Sequence, residues 1–343
     1  MKALVKEAKG PNNIKLIEVP VPSPKENEVL IRVKAAGICG TDLHIKKDAF
    51  PYYPPVILGH EFSGEIVALG KNVKQWKVGE RVVAEPHTQA CGVCRLCRSG
   101  YSHLCPHKRS PGWGINGAFA EYVVMPFYLL HRIPEHLSYE SAATIEPFAI
   151  TLHAVERGGI EPGSNVIIFG AGPIGLLSAK VARICGASQI VIVGTNQDKE
   201  YRFKIAEKIP VDEIVNVEET DPLERVEKIT KGAMADIVIE ASGSPNAVSQ
   251  TTKMLRKRGK IIVLGITEKE SVNFPWKEAM TKALDMHFSF SSSHEAWIKA
   301  INLIEGKVAD PGIVVTHTLP LEKWETAFKM SEEGKCGKII LTP

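Results

Sequence analysis

The sequence lacks any long run of apolar residues. Its first residues, MKALVKEAKGPNNIKL, contain no apolar stretch of the kind found in signal peptides, and no later segment is long enough to cross a bilayer. We therefore expect a cytoplasmic chain that makes no membrane contact. Charge of one sign is not concentrated in any block, because 42 Lys and Arg residues are spread evenly among 39 Asp and Glu residues. A nucleic-acid partner is therefore not expected.

The sequence contains few cysteines, seven in 343 residues, and their number is odd. An odd count without a signal peptide argues against a disulfide framework. Four of them nevertheless follow the spacing C-x2-C-x2-C-x7-C on one short segment, and a loop of four thiolates is typical of a closed tetrahedral zinc site with no position left for chemistry. An iron–sulfur centre uses similar ligands and is the alternative. The four are Cys91, Cys94, Cys97 and Cys105.

Internal repeats and low-complexity segments are also absent, and the length suggests about two domains. Short β patterns separated by Gly and Pro fill the first third, at 29–36, 64–70, 80–85 and 118–125. From Pro162 onward, apolar β runs alternate with helical stretches, one of which is expected to end near Arg258. This alternation predicts parallel βαβ units. The prediction is an α/β protein in which a doubly wound parallel sheet (151–286) is inserted into a β-rich domain (1–150 and 287–343).

The segment VIIFGAGPIGLLSA predicts a dinucleotide-binding turn. Gly170, Gly172 and Gly175 follow a buried strand and open a helix that begins with Pro173 and Ile174. The first glycine allows the tight turn, the second lets a pyrophosphate approach the backbone, and the third lets helix and strand pack closely. The cofactor is expected to be NAD or NADP.

The next strand lacks the acidic residue that would bind the ribose 2′-hydroxyl of NAD. Thr195 and Asn196 stand at the expected position, and the first acid is Asp198. Without a carboxylate there, Lys199 or Arg202 could meet the 2′-phosphate of NADP. Alternatively, Asn196 or a shifted Asp198 binds the ribose 2′-hydroxyl of NAD. Both interpretations stay open.

A second candidate metal set is dispersed along the chain. It consists of Cys39 in GICGTDLH, His60 and Glu61 in LGHEFSG, and Glu146 in TIEPF. A thiolate, an imidazole and a carboxylate leave one zinc position open, and an open zinc acidifies a bound alcohol. Taken singly, a core thiol, a buried histidine and a helix-start carboxylate explain the same residues.

These motifs together resemble the zinc-containing medium-chain dehydrogenase/reductase family. GICGTDLH, GHEFSGEIVALG, CGVCRLC, NGAFAEYV, IEPF and FGAGPIG occur in that family's order from end to end. The resemblance implies a GroES-like catalytic domain around a Rossmann domain, two zinc ions per chain, and a homodimer or homotetramer. Within the family the chain is most similar to the polyol (sorbitol/iditol-type) and threonine dehydrogenases, which carry Glu at the position of Glu146.

The resemblance also implies roles for single residues. Cys39 and His60 would bind the catalytic zinc, and Glu61 and Glu146 would share its remaining protein position. Thr41 would accept the substrate proton, His44 would relay it, and Asp42 would orient His60. Residues at the end of a later strand would lie along the nicotinamide: Leu264, Gly265 and Ile266.

The implied function is hydride transfer between NAD(P) and a polyol or other secondary alcohol. L-threonine and a sugar-alcohol phosphate are the alternative substrates, and a non-catalytic zinc-stabilised nucleotide-binding protein is the alternative class. His153, His294 and His317 show no partner pattern and receive no role.

Overall fold

The protein is described over all residues, 1–343, by a computed structural model. Strands and helices alternate along the chain, with short 3₁₀ turns between some of them. The strands are β1 (Lys2–Lys6), β2 (Ile14–Glu18), β3 (Glu28–Gly37), β4 (Val56–Ile57), β5 (Glu61–Leu69), β6 (Arg81–Ala84), β7 (Tyr122–Pro126), β8 (Leu130–Arg132), β9 (Asn165–Phe169), β10 (Gln189–Gly194), β11 (Glu213–Asn216), β12 (Ala235–Glu240), β13 (Leu255–Val263), β14 (Asp285–Phe288), β15 (Val315–Pro320) and β16 (Lys338–Thr342).

The helices range from one turn to about four turns in length. None of them combines the length and the apolar character that crossing a membrane requires. They are α1 (Gly40–Lys46), α2 (Arg95–Arg98), α3 (Tyr139–Ala142), α4 (Ile145–Gly158), α5 (Pro173–Ile184), α6 (Arg202–Ala206), α7 (Pro222–Ile229), α8 (Pro245–Met254), α9 (Trp276–Thr281), α10 (His294–Glu305) and α11 (Trp324–Glu332).

Unit 1 comprises Met1–Glu146, Ser293–Glu333 and Lys338–Pro343. Its larger sheet has the order β15-β16-β3-β5-β6-β8, with β7 also paired to β3, and a smaller sheet has the order β2-β1-β4. The central strand β3 pairs antiparallel with β5, β7 and β16. In this register Gly37, at the end of β3, lies opposite Glu61 at the start of β5. The sheet therefore brings residues 37–39 close to residues 60–61.

Unit 2 comprises Pro147–Ser292 and Gly334–Gly337. Its six strands are all parallel and have the order β11-β10-β9-β12-β13-β14. The strands are rich in buried apolar residues, such as Ile167, Val191 and Val238, as expected for a sheet covered on both faces. The strand order reverses between β9 and β12, and doubly wound sheets bind ligands at the carboxyl ends of the strands beside such a reversal. The predicted α/β class with a Rossmann-type doubly wound sheet is confirmed.

Two local expectations differ from the structure. The helix expected to end near Arg258 ends at Met254, because the chain then extends into β13, where Arg258 has a positive φ of 59° and its N–H donates to the Lys282 carbonyl. The sequence pattern predicts that the β-rich domain resumes at residue 287, yet β14 (Asp285–Phe288) pairs in parallel with β13 and extends the sheet of unit 2. The break between the units therefore falls after Ser292.

Candidate metal and dinucleotide sites

The four-cysteine loop folds so that its sulfurs converge. Cys94 caps the short helix α2, and Gly92 takes a positive φ of 71° that the turn before it requires. The Sγ–Sγ distances are 3.7 Å between Cys91 and Cys105 and 4.0 Å between Cys94 and Cys105. Four sulfurs bound at about 2.3 Å to a tetrahedral zinc would stand about 3.8 Å apart. The loop therefore has the dimensions of a structural zinc site.

Backbone N–H groups also point at these sulfurs. The N–H of Cys94 donates to the Cys91 sulfur at 3.4 Å, and the N–H of Cys91 donates to the Cys105 sulfur at 3.4 Å. Such bonds stabilise thiolates, which are the metal-binding form of cysteine. All seven cysteines of the chain are free of disulfides.

A second cluster joins residues that are far apart in sequence. Cys39 stands directly before α1, His60 ends the loop before β5, and Glu61 begins β5. The ligand atoms of these three residues all lie within 4.8 Å of one another. His60 and Glu61 are buried, and Cys39 is partly buried. The structure thus brings together one sulfur, one imidazole and one carboxylate.

Buried negative charge surrounds this cluster. Burial alone would lower the pKa of His60, but the neighbouring Cys39 and Asp42 outweigh it and raise the pKa well above its ordinary value. Burial raises the pKa of Glu146 to about 7, partly against the field of His60. His60 Nδ1 and Asp42 Oδ1 lie 3.9 Å apart, and neither has a hydrogen-bond partner. An excess of buried acidic groups with unsatisfied polar atoms fits a bound cation.

The expected contact between Asp42 and His60 is looser than a hydrogen bond, at 3.9 Å. The second oxygen of Asp42 accepts a hydrogen bond of 2.9 Å from the N–H of Cys39. Asp42 therefore caps the start of α1 and holds the backbone that carries Cys39. Asp42 therefore positions the backbone of Cys39 by a hydrogen bond and does not form one with the ring of His60.

Lys338 is a member of this site that sequence reasoning missed. Its ammonium group donates to both carboxylate oxygens of Glu61, at 2.8 and 2.7 Å, and to the carbonyl of Ile38 at 2.9 Å. Lys338 is 4% exposed and Glu61 1% exposed. Burial lowers the pKa of Lys338, but Glu61 and Cys39 outweigh this and raise it. The only sequence signal was a lysine at the start of the last strand.

Gly37 makes room for this ion pair. A Cβ atom on Gly37 would lie 2.5 Å from a Glu61 oxygen and 3.5 Å from Cδ of Lys338. Because strands β16, β3 and β5 are neighbours, the pair reaches across the strand between them. The contact between Lys338 and Glu61 therefore requires a residue without a side chain at position 37.

Thr41 and His44 lie on α1 three residues apart, so they share one face of that helix. The Thr41 hydroxyl oxygen is 3.7 Å from the Cys39 sulfur. Both side chains are partly buried. They thus follow the cysteine in the first and second turns of the helix.

The predicted dinucleotide turn lies at the end of β9 and the start of α5. Gly170 has a positive φ of 104°, and a Cβ on Gly175 would lie 1.9 Å from the carbonyl oxygen of Gly170. Gly172 caps α5, with Pro173 and Ile174 in the first turn, and a Cβ on Gly172 would meet nothing within 4 Å. Open space thus faces the free N–H groups at this helix start, which fits a pyrophosphate.

Charged groups near the end of β10 are paired with one another. Glu218, which follows β11, accepts hydrogen bonds from the backbone N–H of Asn196 at 2.9 Å and from its side chain at 2.7 Å. Asp198 accepts from the N–H of Thr195 at 2.9 Å and pairs with Arg202 at 2.8 Å. Lys199 pairs with Glu219. Glu218 is a second residue that sequence reasoning missed.

The end of β13 lies beside the end of β12. The N–H groups of Leu264 and Gly265 donate to the Glu240 carbonyl at 2.8 and 2.9 Å, and Ile266 is exposed. A Cβ on Gly265 would lie 2.2 Å from the N atom of Gly243. The three residues predicted to contact the nicotinamide therefore form a close-packed loop at the same sheet edge as the glycine turn.

Two known protein families match this chain, one within unit 1 and one mainly within unit 2. The "Alcohol dehydrogenase GroES-like domain" family matches residues 25–135, and the "Zinc-binding dehydrogenase" family matches residues 173–306. The sequence is 37% identical over 343 residues to a sorbitol dehydrogenase of Halalkalibacterium halodurans, covering 100% of this chain and 99% of that protein. It is also 37% identical over 348 residues to an L-threonine 3-dehydrogenase of Bacillus licheniformis, with 100% and 99% covered.

Solved structures agree. A zinc-binding dehydrogenase from Sinorhizobium meliloti 1021 bound to NADP is 30% identical and superposes with a TM-score of 0.92, over 100% of this chain and 99% of the other. The expected dehydrogenase class is confirmed. This chain belongs to the zinc-containing medium-chain dehydrogenase/reductase family.

Proposed function

We propose that the protein is a zinc-dependent polyol dehydrogenase that oxidises a secondary alcohol with NAD. The convergence of Cys39, His60 and Glu61 in one buried cluster carries the proposal, because these groups leave a zinc position open for substrate. When bound, zinc acidifies the alcohol and the nicotinamide accepts its hydride. A carboxylate has about four acceptor sites, so Glu61 can bind a metal while it accepts from Lys338. The structure does not include Glu146 in the close group of Cys39, His60 and Glu61, but Glu146 is buried within the electrostatic range of His60 and Glu61, so it would serve as the alternating ligand.

The chain's own residues handle the proton. Thr41, beside the Cys39 sulfur, accepts the proton of the alcohol and passes its own hydroxyl proton on. His44, one helical turn further along α1, takes that proton and releases it to water. Asp42 fixes this helix start through the N–H of Cys39.

The paired charges after β10 favour NAD over NADP. Glu218 places a carboxylate against Asn196, and this repels the 2′-phosphate of NADP. Lys199 and Arg202, which could have met the phosphate, are held by Glu219 and Asp198. Asn196, whose amide is oriented by Glu218, would then face the ribose of NAD.

A neutral polyol fits the charges of the metal site better than a phosphate ester. The ammonium group of Lys338 is already paired with the carboxylate of Glu61. Lys108 is buried, and the field of Glu146 partly balances its charge. A sugar phosphate would need a stronger cationic pocket. L-threonine remains the second candidate, because the threonine dehydrogenase of Bacillus licheniformis is as similar to this chain as the sorbitol dehydrogenase is.

A substrate and cofactor screen tests this proposal. The zinc-loaded protein should reduce NAD with sorbitol, xylitol, arabitol or butane-2,3-diol, measured at 340 nm, and kcat/KM with NAD should exceed that with NADP by at least about tenfold. Turnover of threonine alone would favour the second candidate. A protein with both zinc ions bound that reduces neither cofactor with any of these substrates would contradict the enzyme function and favour the non-catalytic class.

We also propose that the protein works in the cytoplasm as a homodimer or homotetramer. Seven cysteines without a disulfide suit a reducing compartment. Closed, symmetric homo-oligomers are the common state of soluble enzymes.

The four-cysteine loop is proposed to hold the structural zinc, and Cys94→Ser tests it. The variant should lose one of two zinc ions per chain, because a three-ligand site no longer encloses the metal, and protease should cut the 91–105 loop faster by about tenfold. Metal content and limited proteolysis measure both effects. Cys185→Ser, at a partly buried cysteine outside both clusters, is the matched control. Two zinc ions retained with unchanged proteolysis would remove the assignment.

A further inference from the structure

Unit 1 contains a third group of metal-ligand side chains, to which sequence reasoning gave no role. Glu85 follows β6 and His131 lies on β8, and the pairing of β6 with β8 places these two residues side by side. His294 begins α10, and its ring reaches the same carboxylate. The ligand atoms of Glu85, His131 and His294 all lie within 4.8 Å of one another.

Imidazole nitrogens surround the Glu85 carboxylate. Oε1 is 2.7 Å from Nε2 of His131 and 2.5 Å from Nδ1 of His294, and Oε2 is 2.6 Å from Nε2 of His87. Glu85 is 1% exposed. A carboxylate buried to this degree requires a compensating cation, and imidazole rings occupy the places where an ammonium or guanidinium group would otherwise lie.

The contact with His87 is close but is not a hydrogen bond. Oε2 of Glu85 has no hydrogen-bond partner although the His87 ring lies 2.6 Å away, and Nδ1 of His87 also lacks one. A donor that approaches an acceptor at this distance and misses its direction gains little from hydrogen bonding. Oε2 of Glu85 is thus a buried carboxylate oxygen without a hydrogen bond, which suits a metal ligand, whereas Oε1 is hydrogen-bonded to His131 and His294.

Residues around the cluster fix the ring of His131 and leave His294 open to solvent. Trp297 stacks on His131 with centroids 5.3 Å apart and planes 9° apart, which fixes the orientation of that imidazole. The side chain of His294 is 62% exposed, so an ion can enter from solvent past this residue. The site therefore combines a rigid base with a movable outer ligand.

We propose that Glu85, His131 and His294 bind a third divalent metal ion, with His87 beside the second oxygen of Glu85. The ion belongs to the class that prefers imidazole with one carboxylate, such as Zn²⁺, Ni²⁺ or Cu²⁺. Carboxylate and carbonyl oxygens are too few here for Mg²⁺ or Ca²⁺. Two ligands on a tetrahedral zinc stand about 3.4 Å apart when each bond is about 2.1 Å. The nitrogen–oxygen contacts must therefore open by less than about 1 Å, and rotation of the exposed His294 supplies part of this.

Metal stoichiometry of the full-length, tag-free protein tests the site. After saturation with Zn²⁺ and desalting, the wild-type chain should carry three zinc ions by mass spectrometry of the metal. His294→Gln should carry two and remain folded, because its side chain is largely exposed. His136→Gln, at an exposed histidine of the same unit, should keep three.

Copper provides an independent readout. Protein with two bound zinc ions, given one equivalent of Cu²⁺, should show nitrogen couplings in its electron paramagnetic resonance spectrum, and His294→Gln should lose part of them. Two zinc ions per wild-type chain at saturation would overturn the proposal and leave a hydrogen-bonded carboxylate–imidazole cluster. Three ions retained by His294→Gln would overturn the assignment of its ligands.

Discussion

Cys39→Ser is expected to lower kcat/KM for the alcohol by at least about 10³-fold. A metal acting as a Lewis acid stabilises the transition state by several kcal/mol, and each loss of about 1.4 kcal/mol costs a factor of ten in rate. The hydroxyl of serine is a much poorer zinc ligand than a thiolate, so the open metal position should be lost with it. Steady-state kinetics at 340 nm measure the effect.

Cofactor binding should survive this change. The glycine turn and the residues after β10 belong to unit 2, whereas Cys39 belongs to unit 1. The dissociation constant for NADH, measured by fluorescence, should therefore stay within about twofold of wild type. Cys185→Ser should retain wild-type turnover. Turnover of Cys39→Ser at the wild-type rate would remove the catalytic-zinc assignment.

Sequence could predict the parts of the sites that are set by local chain geometry. The glycine turn at 170–175 has its three roles within six residues, and the structure gives each glycine a different steric surrounding. The cysteine loop is similarly local, because its four sulfurs converge within fifteen residues. For both, spacing alone was sufficient to propose the chemistry.

Contacts between distant segments could not be read in the same way. Lys338 and Glu61 are 277 positions apart and meet because β16, β3 and β5 are adjacent in a particular register. His294 meets Glu85 across 209 positions, again through tertiary packing. The pairing of Glu218 with Asn196 likewise depends on β11 lying beside β10. A sequence pattern carries no information on which of many lysines, histidines or glutamates such packing selects.

The periodicity of apolar residues predicted the fold class, but it did not predict strand β14 at the edge of the parallel sheet of unit 2. Strand β14, with the sequence DMHF, is short and partly exposed, so it lacks the continuous apolar run that identified its neighbours. Its place in the sheet is set by pairing with β13. An edge strand has one neighbour instead of two, and its sequence is correspondingly less constrained.

Lys338→Met is expected to destabilise unit 1 by about 3–5 kcal/mol, because it leaves the carboxylate of Glu61 buried without its partner. For a unit of this size each kcal/mol moves the melting temperature by about 2–4 °C, so a decrease of roughly 10 °C is expected by calorimetry at fixed zinc concentration. Methionine keeps most of the length of the lysine stem, so lost packing contributes little.

Two further variants separate the charge effect from packing. Lys338→Met combined with Glu61→Gln should recover more than half of the lost stability, because no buried charge is then left unpaired. Lys34→Met breaks the pair of Lys34 with Glu65, which joins strands β3 and β5 of the same sheet and is about one third exposed. It should cost less than about 1 kcal/mol. A double variant as unstable as Lys338→Met alone would mean that the lysine stabilises the sheet by packing. The ion pair would then have no part in holding Glu61 at the metal site.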